Sequence, residues 1–216
     1  TNQYKSAVSV SRKLLNNYTK VKYWRQLSAL YANLEEETKQ MLTLELVEMQ
    51  GGLKQEKQLL SLAYQYMAFD IPYRGAMLIE KGMKDGTIAK TEKNLETLGQ
   101  AYQRAREDEK AASVLEQAAA KSSDGSIWAR LSNVYLNLDQ NKKAAVAAKK
   151  ALQKGGLKRT DLMWMNLGTA QANLHCYSDA EKSFNKAAGF EDSKKNAENW
   201  RTYVRSEGDR RSALIK

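Results

Sequence analysis

One four-point spacing occurs five times along this chain. Trp24, Leu27, Ser28 and Tyr31 set it, and Leu59, Leu62, Ala63 and Tyr66 repeat it. Leu95, Leu98, Gly99 and Tyr102 follow, then Trp128, Leu131, Ser132 and Tyr135. A fifth copy, Trp164, Leu167 and Gly168, has Gln171 in place of the aromatic. Successive starts lie 35, 36, 33 and 36 residues apart. Self-similarity at such a period means stacked supersecondary units, because one short unit cannot bury its apolar face alone.

A second set trails each aromatic. It reads Gly75, Ile79, Gly82, then Ala111, Leu115, Ala118, then Ala144, Ala148, Ala151, then Ala180, Phe184, Ala187. Steps of four and three put each trio on one face of a helix. In the first copy the corresponding places hold Gln40, Leu44 and Val47. Each period is therefore expected to be two helices. The large residue and leucine of the first form its buried stripe, and the small residue beside them admits a second helix closely.

Punctuation fits this phasing. Pro72 is the only proline and falls at the expected start of a second helix, where its missing N–H costs least. Gly51-Gly52, Gly82, Gly86, Gly125, Gly155-Gly156 and Gly189 follow second helices and are expected as C-caps. Ser178 and Glu181 have capping-box spacing at the start of the last second helix. At the front, Ala7, Ser11 and Leu14 match second-helix spacing, so residues 1–22 read as the second helix of a truncated hairpin. Residues 23–192 read as five hairpins. Trp200 continues the register, with Tyr203 at the leucine place and Glu207 at the aromatic one. Residues 193–216 thus read as a capping helix, with Lys194, Lys195, Asn196, Glu198 and Asn199 facing water, and a tail frayed from Gly208.

These residues resemble the tetratricopeptide repeat, W-x2-L-G-x2-Y-x8-A-x3-F-x2-A, over roughly residues 23 to 190. The resemblance implies an all-α fold, a right-handed superhelical solenoid of stacked antiparallel helix pairs, and a protein that binds other proteins without catalysis. A narrower resemblance rests on Tyr23-Trp24-Arg25-Gln26-Leu27-Ser28-Ala29-Leu30-Tyr31, Gly51-Gly52-Leu53, Ile71-Pro72-Tyr73-Arg74-Gly75-Ala76 and Gly82-Met83-Lys84-Asp85-Gly86-Thr87-Ile88. Together they look like the repeat proteins encoded beside TonB energy-transduction operons of Gram-negative bacteria. This implies a periplasmic protein working with a TonB–ExbB–ExbD complex in uptake of iron, siderophores or haem. Scaffolds of other envelope assemblies, for secretion, polysaccharide export or outer-membrane biogenesis, are the alternative.

The sequence has no glycine-rich phosphate loop, no Gly-x-Ser-x-Gly and no His-Glu-x-x-His. His175 and Cys176 are the only residues of their types and are adjacent; a metal site needs more ligands, so no metal and no cofactor is expected. A single cysteine allows no internal disulfide. Glu35-Glu36-Glu37 reads as a solvated cap, and the four tryptophans read as core. No apolar run is long enough to span a bilayer. The net charge of +10 admits nucleic acid as a partner, but the basic residues are spread along the chain and few fall on the expected groove. RNA binding is therefore a minor alternative and no nucleic acid is expected.

In this architecture the first helices line a concave groove. Phasing places Arg25, Lys57, Tyr64, Lys93, Gln100, Arg104, Arg130, Asn133, Asn137, Asn166 and Asn173 there, with Ala29, Asn33, Ser61, Thr97 and Thr169 between them. Asparagine amides suit the backbone of an extended peptide, and arginine suits a carboxylate. The expected partner is a protein or extended peptide, with TonB complex components as candidates. The lysine and asparagine clamp by which chaperone-binding relatives hold a C-terminal carboxylate is not matched in any frame.

Overall fold

The computed structural model describes residues 2–214, and all the regular secondary structure among them is helical. In order these are α1 (Asn2–Asn17), α2 (Val21–Asn33), α3 (Glu37–Met49), α4 (Glu56–Ala68), α5 (Pro72–Lys84) and α6 (Glu92–Arg104). They continue as α7 (Asp108–Ala119), α8 (Ser126–Asn137), α9 (Asn141–Lys154), α10 (Thr160–Asn173), α11 (Tyr177–Ala188) and α12 (Lys194–Leu214), the last preceded by a 3-10 turn at Glu191–Ser193. Two compact units divide the chain, one ending at Lys90 and one starting at Thr91.

Each repeat period is a helical hairpin: α2 packs on α3, α4 on α5, α6 on α7, α8 on α9 and α10 on α11. The three-residue turns within them are built alike. The middle residue takes positive φ in all five, at Glu35, Asp70, Arg106, Asp139 and His175, between 54° and 61°. The next residue's N–H returns to the carbonyl at the repeat's tyrosine place, as in Glu36 to Tyr31 (3.0 Å), Glu107 to Tyr102 (3.0 Å) and Cys176 to Gln171 (2.9 Å). This is the Schellman closure, which satisfies carbonyls stranded at a helix end. His175 is thus the left-handed residue of a turn.

The core follows the repeat. In the first unit Leu27, Tyr31, Val47, Leu59, Leu62, Ala63, Tyr66 and Ile79 are buried. In the second, Leu98, Tyr102, Leu115, Leu131, Tyr135, Ala148, Leu167 and Phe184 are buried. The small residue does what its size suggests. A Cβ on Gly99 would lie 2.6 Å from Leu115, and one on Gly168 2.7 Å from the Phe184 ring. Where the residue is serine, its hydroxyl donates across the hairpin, Ser28 to the Gln40 carbonyl (3.3 Å) and Ser132 to that of Ala144 (3.1 Å). The first hairpin, irregular in sequence, therefore pairs through the same position as the fourth. The tryptophans are half-buried against these clusters, Trp24 beside Leu27 and Trp128 beside Ala148 and Ala151.

Four expectations need correction. Gly82 lies inside α5, where a Cβ would meet Ile88 at 2.7 Å, and Gly125 precedes α8 with its N–H on the Gly155 carbonyl (2.8 Å), so both serve close approach and not C-capping. The last second helix, α11, begins at Tyr177 after an N-cap at Cys176 without side-chain capping, so Ser178 and Glu181 form no capping box. Gln58, in the first turn of α4, does cap: its carbonyl accepts from the Lys54 (3.1 Å) and Gln55 (3.3 Å) N–H groups. Finally, α12 buries Ala197 and Val204 and leaves Tyr203 53% exposed, so the leucine place is shifted by one residue. It also continues to Leu214, because Gly208 lets its backbone pass Tyr177 and Arg210 pairs with Glu207 (2.6 Å). Residues 215 and 216 of the expected tail lie outside the described residues.

Candidate partner-binding face

In the second unit several of the residues read as a groove form a polar ladder of two separate rungs on the first helices α6, α8 and α10. Glu96 of α6 is its pivot: Gln100 donates to Glu96 Oε1 at 3.1 Å and Arg130 Nη2, from α8, lies 3.4 Å from the same oxygen. On the next rung Asn166 of α10 donates its amide to Asn133 of α8. Residues 33 to 34 apart in sequence thus meet because each occupies the same place on successive first helices. Lys93 and Arg104 are exposed at either end of α6. Asn137 and Asn173 instead mark the turn edge of this face, Asn137 on Asp108 (3.4 Å) and Asn173 on Asn141 (2.9 Å).

Arg130 is the least committed member. Among the described residues its side chain has one polar contact, the long one to Glu96, and its Nε is buried with no hydrogen-bond partner. A guanidinium has five donors in a planar fork suited to a carboxylate. Thr97 departs from the expectation: it is buried and its hydroxyl bonds the Lys93 carbonyl (2.9 Å), so it does not face the groove.

In the first unit Arg25, Lys57 and Tyr64 are exposed. Arg25 already donates to the Gly52 carbonyl, which ties α2 to the α3–α4 loop and leaves it less available to a ligand. Lys57 and Tyr64 lie two turns apart on α4.

A device the repeat signature does not contain is present as well. A basic residue on the second helix covers the repeat's tyrosine ring in four hairpins: Lys39 over Tyr31 (5.6 Å), Arg74 over Tyr66 (5.8 Å), Lys110 over Tyr102 (5.6 Å) and Lys143 over Tyr135 (5.2 Å). Each lies eight residues after its tyrosine, a spacing readable in the sequence. Two of these hydroxyls, on Tyr66 and Tyr135, hydrogen-bond Glu45 and Glu116 of the preceding second helix. Burial first, then those carboxylates, pushes both phenols well above the usual range. At 5–6 Å such contacts are cation–π attractions, so a share of the +10 charge serves packing.

Among the described residues no group of three or more His, Cys, Asp or Glu could hold a metal ion, and no helix is long and apolar enough to cross a membrane.

No protein-family model matches the sequence, and no curated protein does. Solved structures do share the fold. A crystal structure of MamA superposes with a TM-score of 0.65 at 18% identity, covering 82% of this chain and 94% of that one. The C-terminal part of a TPR repeat-containing protein from Cytophaga hutchinsonii gives 0.64 at 13% identity, covering 95% and 84%. YrrB, described as a TPR protein with an unusual peptide-binding site, gives 0.59 at 16% identity, covering 72% and 79%. The likeness at these identities is one of fold: this chain has the stacked-hairpin fold of tetratricopeptide-repeat proteins.

Proposed function

We propose that the chain is a non-catalytic interaction scaffold whose first-helix face in the second unit holds an extended segment of a partner protein. The observation that carries this reading is the ladder Gln100–Glu96–Arg130 and Asn133–Asn166, where Arg130 keeps spare donors beside a row of amides. Amides can pair with a peptide backbone in any sequence, and the arginine adds a preference for a carboxylate. YrrB lends support, as a protein of the same fold described by a peptide-binding site.

The finer reading is a periplasmic scaffold supporting TonB-dependent uptake of iron, siderophores or haem. It is supported by the segments Tyr23–Tyr31, Ile71–Ala76 and Gly82–Ile88, which resemble the repeat proteins of those systems. The test is calorimetric titration of the chain with the soluble periplasmic part of TonB at two salt concentrations. Micromolar binding is expected, weakened about tenfold or more by Arg130→Ala, the loss typical of a central arginine in an interface. The substitution should lower the thermal midpoint only slightly, since a long, half-exposed ion pair contributes little. Heat of binding unaffected by Arg130→Ala would remove the ladder from the interface. Absence of heat at both salts would remove TonB and point to partners in other envelope assemblies.

A further inference from the structure

Beside the turn edge of the ladder the second unit has an open cavity of about 680 Å³. The turn after α8, the end of α10, the start of α11 and α12 bound it. Trp200 and Tyr203 form an aromatic wall, in edge-to-face contact with centroids 5.7 Å apart. Tyr203 is 53% exposed, Asn141, Asn173 and Asn199 add amides, and His175 lies at the edge with its Nδ1 3.0 Å from the Tyr177 hydroxyl. Asp139 brings a carboxylate. Its side chain makes no hydrogen bond or ion pair among the described residues.

The charge of this lining runs against that of the molecule. Lysine and arginine number 35 in the chain, yet among the described residues none lines the cavity, and Asp139 is the only carboxylate there. Aromatic faces attract a cation through their quadrupole, and a carboxylate beside them completes a site for a charged head on an apolar stem. Lysine and arginine side chains have that form. A carboxylate ligand would meet Asp139, and a purely apolar one would leave Asp139 and three amides facing it without pairing.

We propose that this cavity is a specificity pocket for an arginine or lysine side chain of the bound partner segment. The inference rests on the scaffold reading above and adds to it a cationic residue located at the α12 end of the second unit. Asp139 supplies the ion pair, Trp200 and Tyr203 the stacking surface, and Asn199 a hydrogen bond. Two features that look incidental in the sequence thereby acquire a use: the Asp at a turn position, and the tyrosine displaced from the leucine place of α12.

The test uses the full chain, isotope-labelled for NMR, titrated with N-acetyl-arginine methylamide and with its neutral isostere N-acetyl-citrulline methylamide. The arginine probe is expected to shift the Trp200 indole N–H and the amides around residues 139 and 199–203, and to bind about fivefold tighter than citrulline. Asp139→Asn should abolish that difference while leaving citrulline binding unchanged. Trp200→Phe keeps an aromatic ring on Phe184 and should weaken both probes. Equal affinity for the two probes in the native chain, discrimination that survives Asp139→Asn, or shifts centred on Glu96 would each overturn the pocket. A partner segment whose binding depends on Arg130 but ignores Asp139→Asn would likewise overturn the pocket and leave the scaffold intact. Discrimination at Asp139 without any binding to the Arg130 ladder would do the reverse.

Discussion

Arg106 holds φ at 61° between α6 and α7, and its side chain makes no hydrogen bond or ion pair among the described residues. A left-handed conformation costs an L-residue roughly 1–2 kcal/mol, and glycine avoids this while losing about 0.5–1 kcal/mol more chain entropy on folding. The first term is the larger. Arg106→Gly is expected to raise the thermal midpoint by about 1–4 °C, whereas Arg106→Val lowers it. Differential scanning calorimetry decides. A drop with glycine would show that the turn is not strained. Asp161 offers a different residue-scale test. It is buried at the start of α10, where Arg159 donates to both carboxylate oxygens (2.9 and 2.6 Å) and Ser193 donates to Oδ2 (2.5 Å). The hydrogen bonds from Arg159, more than any other contact, hold its pKa well below the usual carboxylate range. A depressed pKa stabilises the fold fully above the unfolded value near 4, and the contribution fades as pH falls toward the folded one. Asp161→Asn is expected to cost about 2 kcal/mol at pH 7, with the gap to the native chain narrowing below pH 4. Urea unfolding at pH 7 and pH 3 measures it, and a gap that does not narrow would assign the loss to packing.

Helix pairing depends on one small residue per hairpin. At Gly168 an added Cβ would sit 2.7–2.8 Å from three atoms of the Phe184 ring, which is fully buried and stacked on Trp200. Alanine has the better helix propensity by about 1 kcal/mol, but overpacking of a fixed ring costs about 1–3 kcal/mol and should prevail. Gly168→Ala is therefore expected to destabilise, and Phe184→Leu in the same chain to recover part of the loss. A stabilising Gly168→Ala would mean the α10–α11 pair is looser than its geometry. This level of organisation was the most legible in the sequence. The small residue, the leucine before it and the alanine trio state which faces meet, because a hairpin with so short a turn has few other ways to bury them. The left-handed turn residues were not legible. Glu35, Asp70, Arg106, Asp139 and His175 share a backbone shape and no side-chain chemistry, so only their common offset from the tyrosine place marks them. The basic residue over each tyrosine was legible in spacing but hidden inside a chain already rich in lysine. The candidate face was legible in part. Phasing gathered Gln100, Arg130, Asn133 and Asn166, but it could not tell that Thr97 turns inward or that Arg25 is taken by a loop carbonyl.

At the scale of the molecule, a stacked array draws stability from each hairpin and its neighbours, so a division between compact units marks where the chain can be cut. Here that division falls between Lys90 and Thr91. The second unit carries its own buried clusters, one around Ala148, Ala151, Met163 and Leu167 and one around Phe184, Ala187, Ala197 and Val204. Its first helix also starts cleanly, with the Thr91 hydroxyl accepting from the Asn94 N–H at 3.2 Å. A fragment from Thr91 onward is expected to keep the helicity per residue of the whole chain and to melt in one cooperative transition. Because Glu96, Arg130, Asn133 and Asn166 all lie within it, the same fragment should retain the partner affinity of the whole chain within about threefold, the size of a loss near 0.7 kcal/mol. Circular dichroism and titration against the same partner test both halves together. A fragment that melts cooperatively yet binds far more weakly would show that Lys57 or Tyr64 of the first unit carries the interface. A fragment without a cooperative transition would show that the second unit needs the first to fold.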